Sequence, residues 1–223
     1  MNDGLKCSDL SRCMKRFHGG EFAGSRCLAL YSATIAVADE ELMTQAIRLG
    51  QEHGLEYDRF YEIVLQSYLF LGFPRMLIAA EQLHEVLPNT GRNRRKMPSA
   101  GNEYESWREN GLQLCRRIYG DAYEPLREKV QPIAPEIFDW MILEGYGKVL
   151  SRPGLGPIDR ELSIVAFLML ENRPKQLRSH MQGALNVGAP EEQLRAVVED
   201  IGEAAGDGYR AACAVLERLK GLS

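Results

Sequence analysis

The stretch that decides the fold runs from Gly156 to Glu199 and reads GPIDRELSIVAFLMLENRPKQLRSHMQGALNVGAPEEQLRAVVE. Asp159 is of the type that caps a helix by accepting an amide hydrogen bond, and the apolar run behind it predicts a helix through Leu170. Pro174 suits a first helical turn, where its missing N–H costs nothing, and opens a second helix that Gly188 ends. Pro190 with Glu191 and Glu192 starts a third, with negative charge at its N-terminus. The segment is a helical hairpin followed by one more helix.

Working outward, the same helical periodicity recurs. Leu28, Tyr31, Ile35 and Leu42 begin a run that continues through Ile47 and Leu49 to a stop at Gly54. A further helix passes through Ile63, Leu65 and Tyr68, is interrupted at Gly72-Phe73-Pro74, and resumes from Arg75 to Val86. Pro88 to Asn102 is a loop of Pro, Gly, Ser, Asn and basic residues. Helices are expected at Trp107–Tyr119 and Ile137–Leu150, with a rigid loop at Ser151–Pro157. No segment alternates as a strand would, so the class is all-α. The first twenty residues show no periodic apolar face and are expected to be flexible or loosely docked.

A shift of 134 positions aligns two segments without a gap. Arg26 falls on Arg160, Leu28 on Leu162, Gly54 on Gly188, Val64 on Val198, Gly72 on Gly206 and Ala80 on Ala214. Residues 26–83 and 160–217 therefore read as divergent copies of one helical unit. The expected organisation is a flexible segment 1–20, a degenerate half-unit 21–86, a linker 87–102 and a complete unit 103–223.

The 223 residues carry a formal net charge of -4, and 45% are hydrophobic. Nothing global points to nucleic acid or an anionic membrane, and no apolar stretch reads as a bilayer span. The five cysteines contain no CxxC pair, which fits reduced thiols better than a disulfide framework. With no secretory signal in the first twenty residues, the expected location is cytoplasmic. No metal-ligand spacing is present.

His180 lies mid-helix among Leu177, Ala184 and Leu185, so it faces the inside of the hairpin. Glu161 lies nineteen residues earlier, on the antiparallel helix, about one turn away in height. A carboxylate there would orient the imidazole and favour its charged form, making it a general acid or base. The same spacing also suits a packed histidine bonded to a structural glutamate. In the N-terminal copy Cys27 and Ala46 stand at these two positions, so that copy supplies packing and pocket walls rather than an acid–base pair.

RPGL at Arg152–Leu155, DREL at Asp159–Leu162 and QLRSH with GALNVG across Gln176–Gly188 resemble the signature of the carboxymuconolactone decarboxylases. IYGDAY at Ile118–Tyr123 and Gly145-Tyr146-Gly147 extend the resemblance over roughly Glu103 to Leu219, while residues 21–86, with FLGFP at Phe70–Pro74, resemble the latter half of such a domain. The resemblance implies an alkylhydroperoxidase D-like helical fold with an internal repeat. It also implies cofactor-independent decarboxylation of a small lactone carboxylic acid in aromatic degradation. His180 would carry the proton, Glu161 would orient it, and Arg160, Arg152 and Arg173 would bind a small-molecule carboxylate. The peroxide-reducing relatives carry a CxxC pair that would fall on Arg173 and Gln176, so dithiol chemistry is disfavoured. Another enzyme on a small carboxylate, or a non-catalytic oligomeric binding protein, stays open beside this reading. Ring assemblies in the family imply a homo-oligomer, dimer or trimer.

Overall fold

A computed structural model describes residues 3–88 and 103–220. Eleven α-helices order as α1 (Asp3–Lys15), α2 (Ala23–Val37), α3 (Glu40–Glu52), α4 (Tyr57–Val86), α5 (Glu103–Tyr119), α6 (Tyr123–Val130), α7 (Pro135–Trp140), α8 (Pro157–Leu170), α9 (Pro174–Asn186), α10 (Glu191–Ile201) and α11 (Asp207–Lys220). A π-helix, Met141–Leu150, continues α7. No strand occurs among the described residues, as the periodicity predicts.

Helices α2 and α8 lie side by side at the centre. Every residue from Cys27 to Ala36 and from Arg160 to Leu170 is buried, so both helices are enclosed on all sides. Helices α3 and α4 pack on α2, and α9 packs on α8. The expected single run from Leu28 to Leu49 is in fact two helices. Ala38 takes a left-handed conformation (φ 56), and Asp39 caps α3 by accepting from the Leu42 amide at 2.9 Å. Asp159 is not the cap of α8: the helix opens at Gly156-Pro157, and the Asp159 carboxylate instead accepts from Ser25 at 2.5 Å and Arg59 at 2.6 Å.

The N-terminal segment also differs from expectation, because Asp3–Lys15 is helical and docked. Leu10 and Met14 are buried, Lys6 donates to the Leu170 carbonyl at 3.0 Å, and the Cys13 thiol reaches the Ile201 carbonyl at 3.6 Å. Its apolar stripe, Cys7, Leu10 and Met14, is one residue wide and hidden among polar neighbours, so no broad amphipathic face marks it. The α6 helix was likewise not foreseen. Residues 89–102, most of the expected linker with its basic run, lie outside the described residues.

One helix, Tyr57–Val86, is long and apolar enough by length and composition to cross a membrane, contrary to the reading of the sequence. Its path breaks at Gly72, whose φ of 78° and ψ of 167° leave the helical region at little steric cost only for glycine. Phe60, Ile63, Val64, Ala79 and Leu83 on either side of the break are buried in the core.

The two halves correspond more closely than their sequences. Helices begin at Ala23, Glu40 and Tyr57, and again at Pro157, Pro174 and Glu191, each 134 positions on. Ala38 and Asn172, also equivalent, are both non-glycine residues at positive φ. Polar contacts of α2 and α8, with each other and with α10 and α4, exchange partners: Ser25 bonds its own equivalent Asp159. Arg26 to Asp200 is mirrored by Arg160 to Gln66, and Arg59 to Asp159 by Gln193 to Ser25. Positions 134 residues apart thus make reciprocal contacts about the α2–α8 pair. The correspondence reaches beyond the segments expected, since α1 falls in register with 137–149.

One pair in this set has become a buried charge cluster. Glu62 on α4 accepts from Arg160 at 2.8 Å and from Arg152 at 2.9 Å, and both carboxylate and Arg160 are almost fully enclosed. Burial pushes the Glu62 carboxyl up, but the hydrogen bonds and charges of Arg152 and Arg160 outweigh it and hold it below its usual value. Glu62→Ala leaves buried Arg160 without its carboxylate and is expected to cost about 3–5 kcal/mol. Because the folded value is depressed, this stabilisation is complete above the ordinary carboxylate value of about 4.3 and is lost as pH falls through the lower folded value. Denaturant midpoints of wild type and Glu62→Ala should therefore stand far apart at neutral pH and converge in acid. A constant separation would mean that the ion pair is not the source.

Candidate functional site

His180 projects from the middle of α9 and Glu161 from the first turns of α8, and the two meet as their spacing predicts. Nδ1 of His180 lies 2.8 Å from Oε2 of Glu161, with Glu161 1% and His180 6% exposed. With an ionised carboxylate as acceptor, Nδ1 carries the shared proton and Nε2 is left as the reactive nitrogen. The pair approaches this closely because residue 183 is glycine: a Cβ there would sit 2.8 Å from Oε2 of Glu161 and 2.8 Å from Ile118. The other Glu161 oxygen, Oε1, is buried with no hydrogen-bond partner among the described residues.

The His180 ring forms part of the wall of a cavity of about 460 Å3. Helix α4 of the N-terminal half contributes Tyr68, Leu69 and Phe70 to that wall, and α5 contributes Tyr119. Phe70 and Tyr119 meet the imidazole edge-on, at ring separations of 5.6 Å and 6.5 Å. The site is thus shared between the halves: acid–base groups from one, an aromatic wall from the other.

The π-helix supplies much of the rest, including Met141, Glu144, Tyr146 and Leu150. Nine residues are about two and a half α-helical turns, which would put Met141 and Leu150 on opposite faces. Bonding from i to i+5 widens the turn, so both return to the cavity side. Helix α5 crosses this segment at close range. A Cβ on Gly111 would meet the Ile142 carbonyl oxygen at 2.0 Å, and one on Gly147 would meet that of Trp107 at 2.0 Å. Neither the π geometry nor this crossing has a signal in the periodicity.

Polar groups in the cavity form two pairs. Tyr68 donates to Glu144 at 2.8 Å, and the hydroxyls of Tyr146 and Tyr119 are hydrogen-bonded at 3.2 Å. Burial pushes the Tyr119 phenol up to about 12 and the Tyr146 phenol well above its usual value, so both remain protonated at working pH.

The three arginines assigned to substrate are elsewhere. Arg160 is enclosed by Glu62, Gln66 and the Leu155 and Arg152 carbonyls. Arg152 is held on Glu62, and Arg173 is largely exposed, 3.9 Å from Glu171. No arginine or lysine is among the described residues that line the His180 cavity. The tyrosines, which sequence reasoning missed, are neutral donors in its wall, alongside the exposed Gln176 and Trp140. Tyr119 and Tyr146 stand within the segments IYGDAY and Gly145-Tyr146-Gly147, which carried a signal only as parts of a family signature. Among the described residues no three His, Cys, Asp or Glu side chains are grouped as a metal would require.

Residues 135–218 match the model of the Carboxymuconolactone decarboxylase family, so a domain of that family is present. The match leaves out α5, and hence Tyr119, although the motif resemblance extended back to Glu103. Among curated proteins, Peroxisomal protein 2 of Schizosaccharomyces pombe is 26% identical over 139 residues, covering 62% of this chain and 64% of that protein. Peroxisomal protein 2 of Saccharomyces cerevisiae is 24% identical over 163 residues, covering 62% and 58%. The chain thus spans less than two thirds of either relative.

Burial pushes the thiols of Cys27 and Cys115 up to about 12, with the nearby charges of Asp200 and Glu161 respectively adding to the shift. Both should resist iodoacetamide at mildly alkaline pH in the native protein and react once it is unfolded, as read by peptide mass spectrometry. Rapid native labelling of Cys115 would instead reveal a reactive thiol beside Glu161.

Proposed function

We propose that this chain, with its carboxymuconolactone decarboxylase family domain, is an acid–base enzyme that works without a cofactor and decarboxylates a small, unsaturated lactone carboxylic acid. The observation that carries the reading is the His180–Glu161 pair, with His180 in the wall of an aromatic cavity and Glu161 buried behind it. In the reaction the bond from carbon to carboxylate breaks and carbon dioxide leaves. The electron pair is delocalised into the conjugated carbonyl as an enolate. Protonated His180 then gives its Nε2 proton to carbon, the carbonyl re-forms, and water restores the proton. Glu161 acts as the positioning residue, fixing the orientation of the ring.

The arginine placements change one part of the expected scheme. Arg160 is committed to Glu62, and neither Arg152 nor Arg173 lines the cavity, so substrate binding rests on aromatic contact and on neutral hydroxyl donors. The largely apolar and aromatic wall also keeps a second reading in play, another proton-transfer enzyme on a small conjugated carbonyl compound. The relatives' name supports a peroxisomal setting over the cytoplasmic one expected from the sequence. We read the chain as a homo-oligomer, dimer or trimer. Phe73, Leu77 and Trp140 are apolar and well exposed, which suits a subunit contact.

Carbon dioxide release from enzymatically generated 4-carboxymuconolactone tests the reaction. Wild type should turn it over, and His180→Ala should lose about 100-fold or more in kcat while remaining folded by circular dichroism, with a lowered melting temperature because buried Glu161 loses its partner. Turnover undiminished in a folded His180→Ala protein would remove the assigned role. Light scattering of purified protein should give two or three times the chain mass of 25.1 kDa, and a clean monomer would refute the assembly.

A further inference from the structure

An enolate generated beside His180 needs a partner for its oxygen, and the charged residues that usually serve are spent or absent. Glu144 would repel the anion, but it already accepts from Tyr68 and lies 3.9 Å from Lys148. Gln176 and Trp140 also line the cavity with N–H donors, but both stand exposed to water, whereas Tyr146 is buried and Tyr119 half-buried. The two tyrosine hydroxyls are joined by a single hydrogen bond, which uses one of their two protons. The second proton has no protein acceptor among the described residues, and both rings line the cavity. The Tyr119 ring stands 6.5 Å from the imidazole, so one small planar molecule can reach both.

We propose that the Tyr119–Tyr146 pair is the oxyanion-binding element of this site, with Tyr119 holding the enolate oxygen and Tyr146 positioning and polarising it. This rests on the proton-transfer reading above and deepens it by naming the substrate class. The substrate is a planar conjugated carbonyl compound, a lactone or ketone, whose reacting carbon is conjugated with the carbonyl. A phenol is a weaker donor than a guanidinium, but two in series polarise each other, and removal from water strengthens both. Because both stay protonated across the working range, the pair stabilises charge without supplying a proton. His180 and the pair therefore divide the work, the proton at carbon and the charge at oxygen.

Phenolates mimic an enolate, being planar with charge concentrated on one oxygen, so 4-nitrophenol serves as the probe and nitrobenzene as its control without a hydroxyl. Wild type should bind 4-nitrophenol as the anion, seen as a phenolate spectrum at a pH where the free probe is mostly protonated. Tyr119→Phe should weaken phenolate binding about tenfold or more, the scale of a lost hydrogen bond to a charged group. Tyr146→Phe should weaken it less. Nitrobenzene binding should stay within about twofold of wild type in both variants, since the ring contacts are kept. His180→Ala should still bind phenolate. In turnover, Tyr119→Phe should lower kcat with KM little changed, as loss of a transition-state interaction requires. Phenolate binding that does not depend on Tyr119, or equal losses for phenolate and nitrobenzene, overturns the proposal even if His180→Ala abolishes turnover. Tyr119-dependent phenolate binding without any decarboxylation supports the pair and removes only the reaction assigned to it.

Discussion

The packing of α2 against α8 is the constraint on which the rest depends. Two helices buried on every side cannot satisfy their polar side chains in water, so each finds its partners across the central axis. Ser25 and Asp159 bond each other, Arg26 takes Asp200, and Arg160 takes Gln66 and Glu62. These contacts set the depth and rotation of α8, and thereby the position of Glu161, one residue beyond Arg160. The Glu161 carboxylate is held by the same helix that carries buried Arg160.

The two halves, similar in backbone, have diverged in what they enclose. Around α2, the positions equivalent to the acid–base pair are Cys27 and Ala46, both buried, and α1 packs against the neighbouring core with Leu10 and Met14. Around α8, α5 packs on both α9 and the π-helix, and a cavity remains beside His180. Its walls mix the halves: Tyr68 and Phe70 come from α4, although the resemblance had placed the acid–base residues in the C-terminal unit alone. The N-terminal half thus supplies an aromatic part of the cavity wall.

Much of the fold is written in local signals. The hairpin of α8 and α9, the start at Pro174, the stops at Gly54 and Gly188 and the break at Gly72 are where punctuation by glycine and proline puts them. The Glu161–His180 contact was also legible, because nineteen residues on antiparallel helices fix relative height to within a turn. The first helix was not, since a stripe as narrow as Cys7, Leu10 and Met14 does not stand out from a polar background. The fate of the arginines was equally hidden. Arg160 and Arg152 have the chemistry to bind a carboxylate, and they do bind one, but it is Glu62 from a helix some 90 residues earlier.

By itself the sequence determined the all-helical class, the order of most helices and the similar height of Glu161 and His180 on one hairpin, because each depends on periodicity, capping or short separations along the chain. Only the tertiary structure decided what surrounds that pair. The π-helix that turns Tyr146 and Leu150 inward, the approach of Tyr119 from α5 and of Phe70 from α4, and the withdrawal of the arginines from the cavity are all settled by packing between segments far apart in sequence. Distance along the chain carries no information about which of several buried donors will meet which acceptor. That is decided when the helices close on one another and each buried polar group must find a partner.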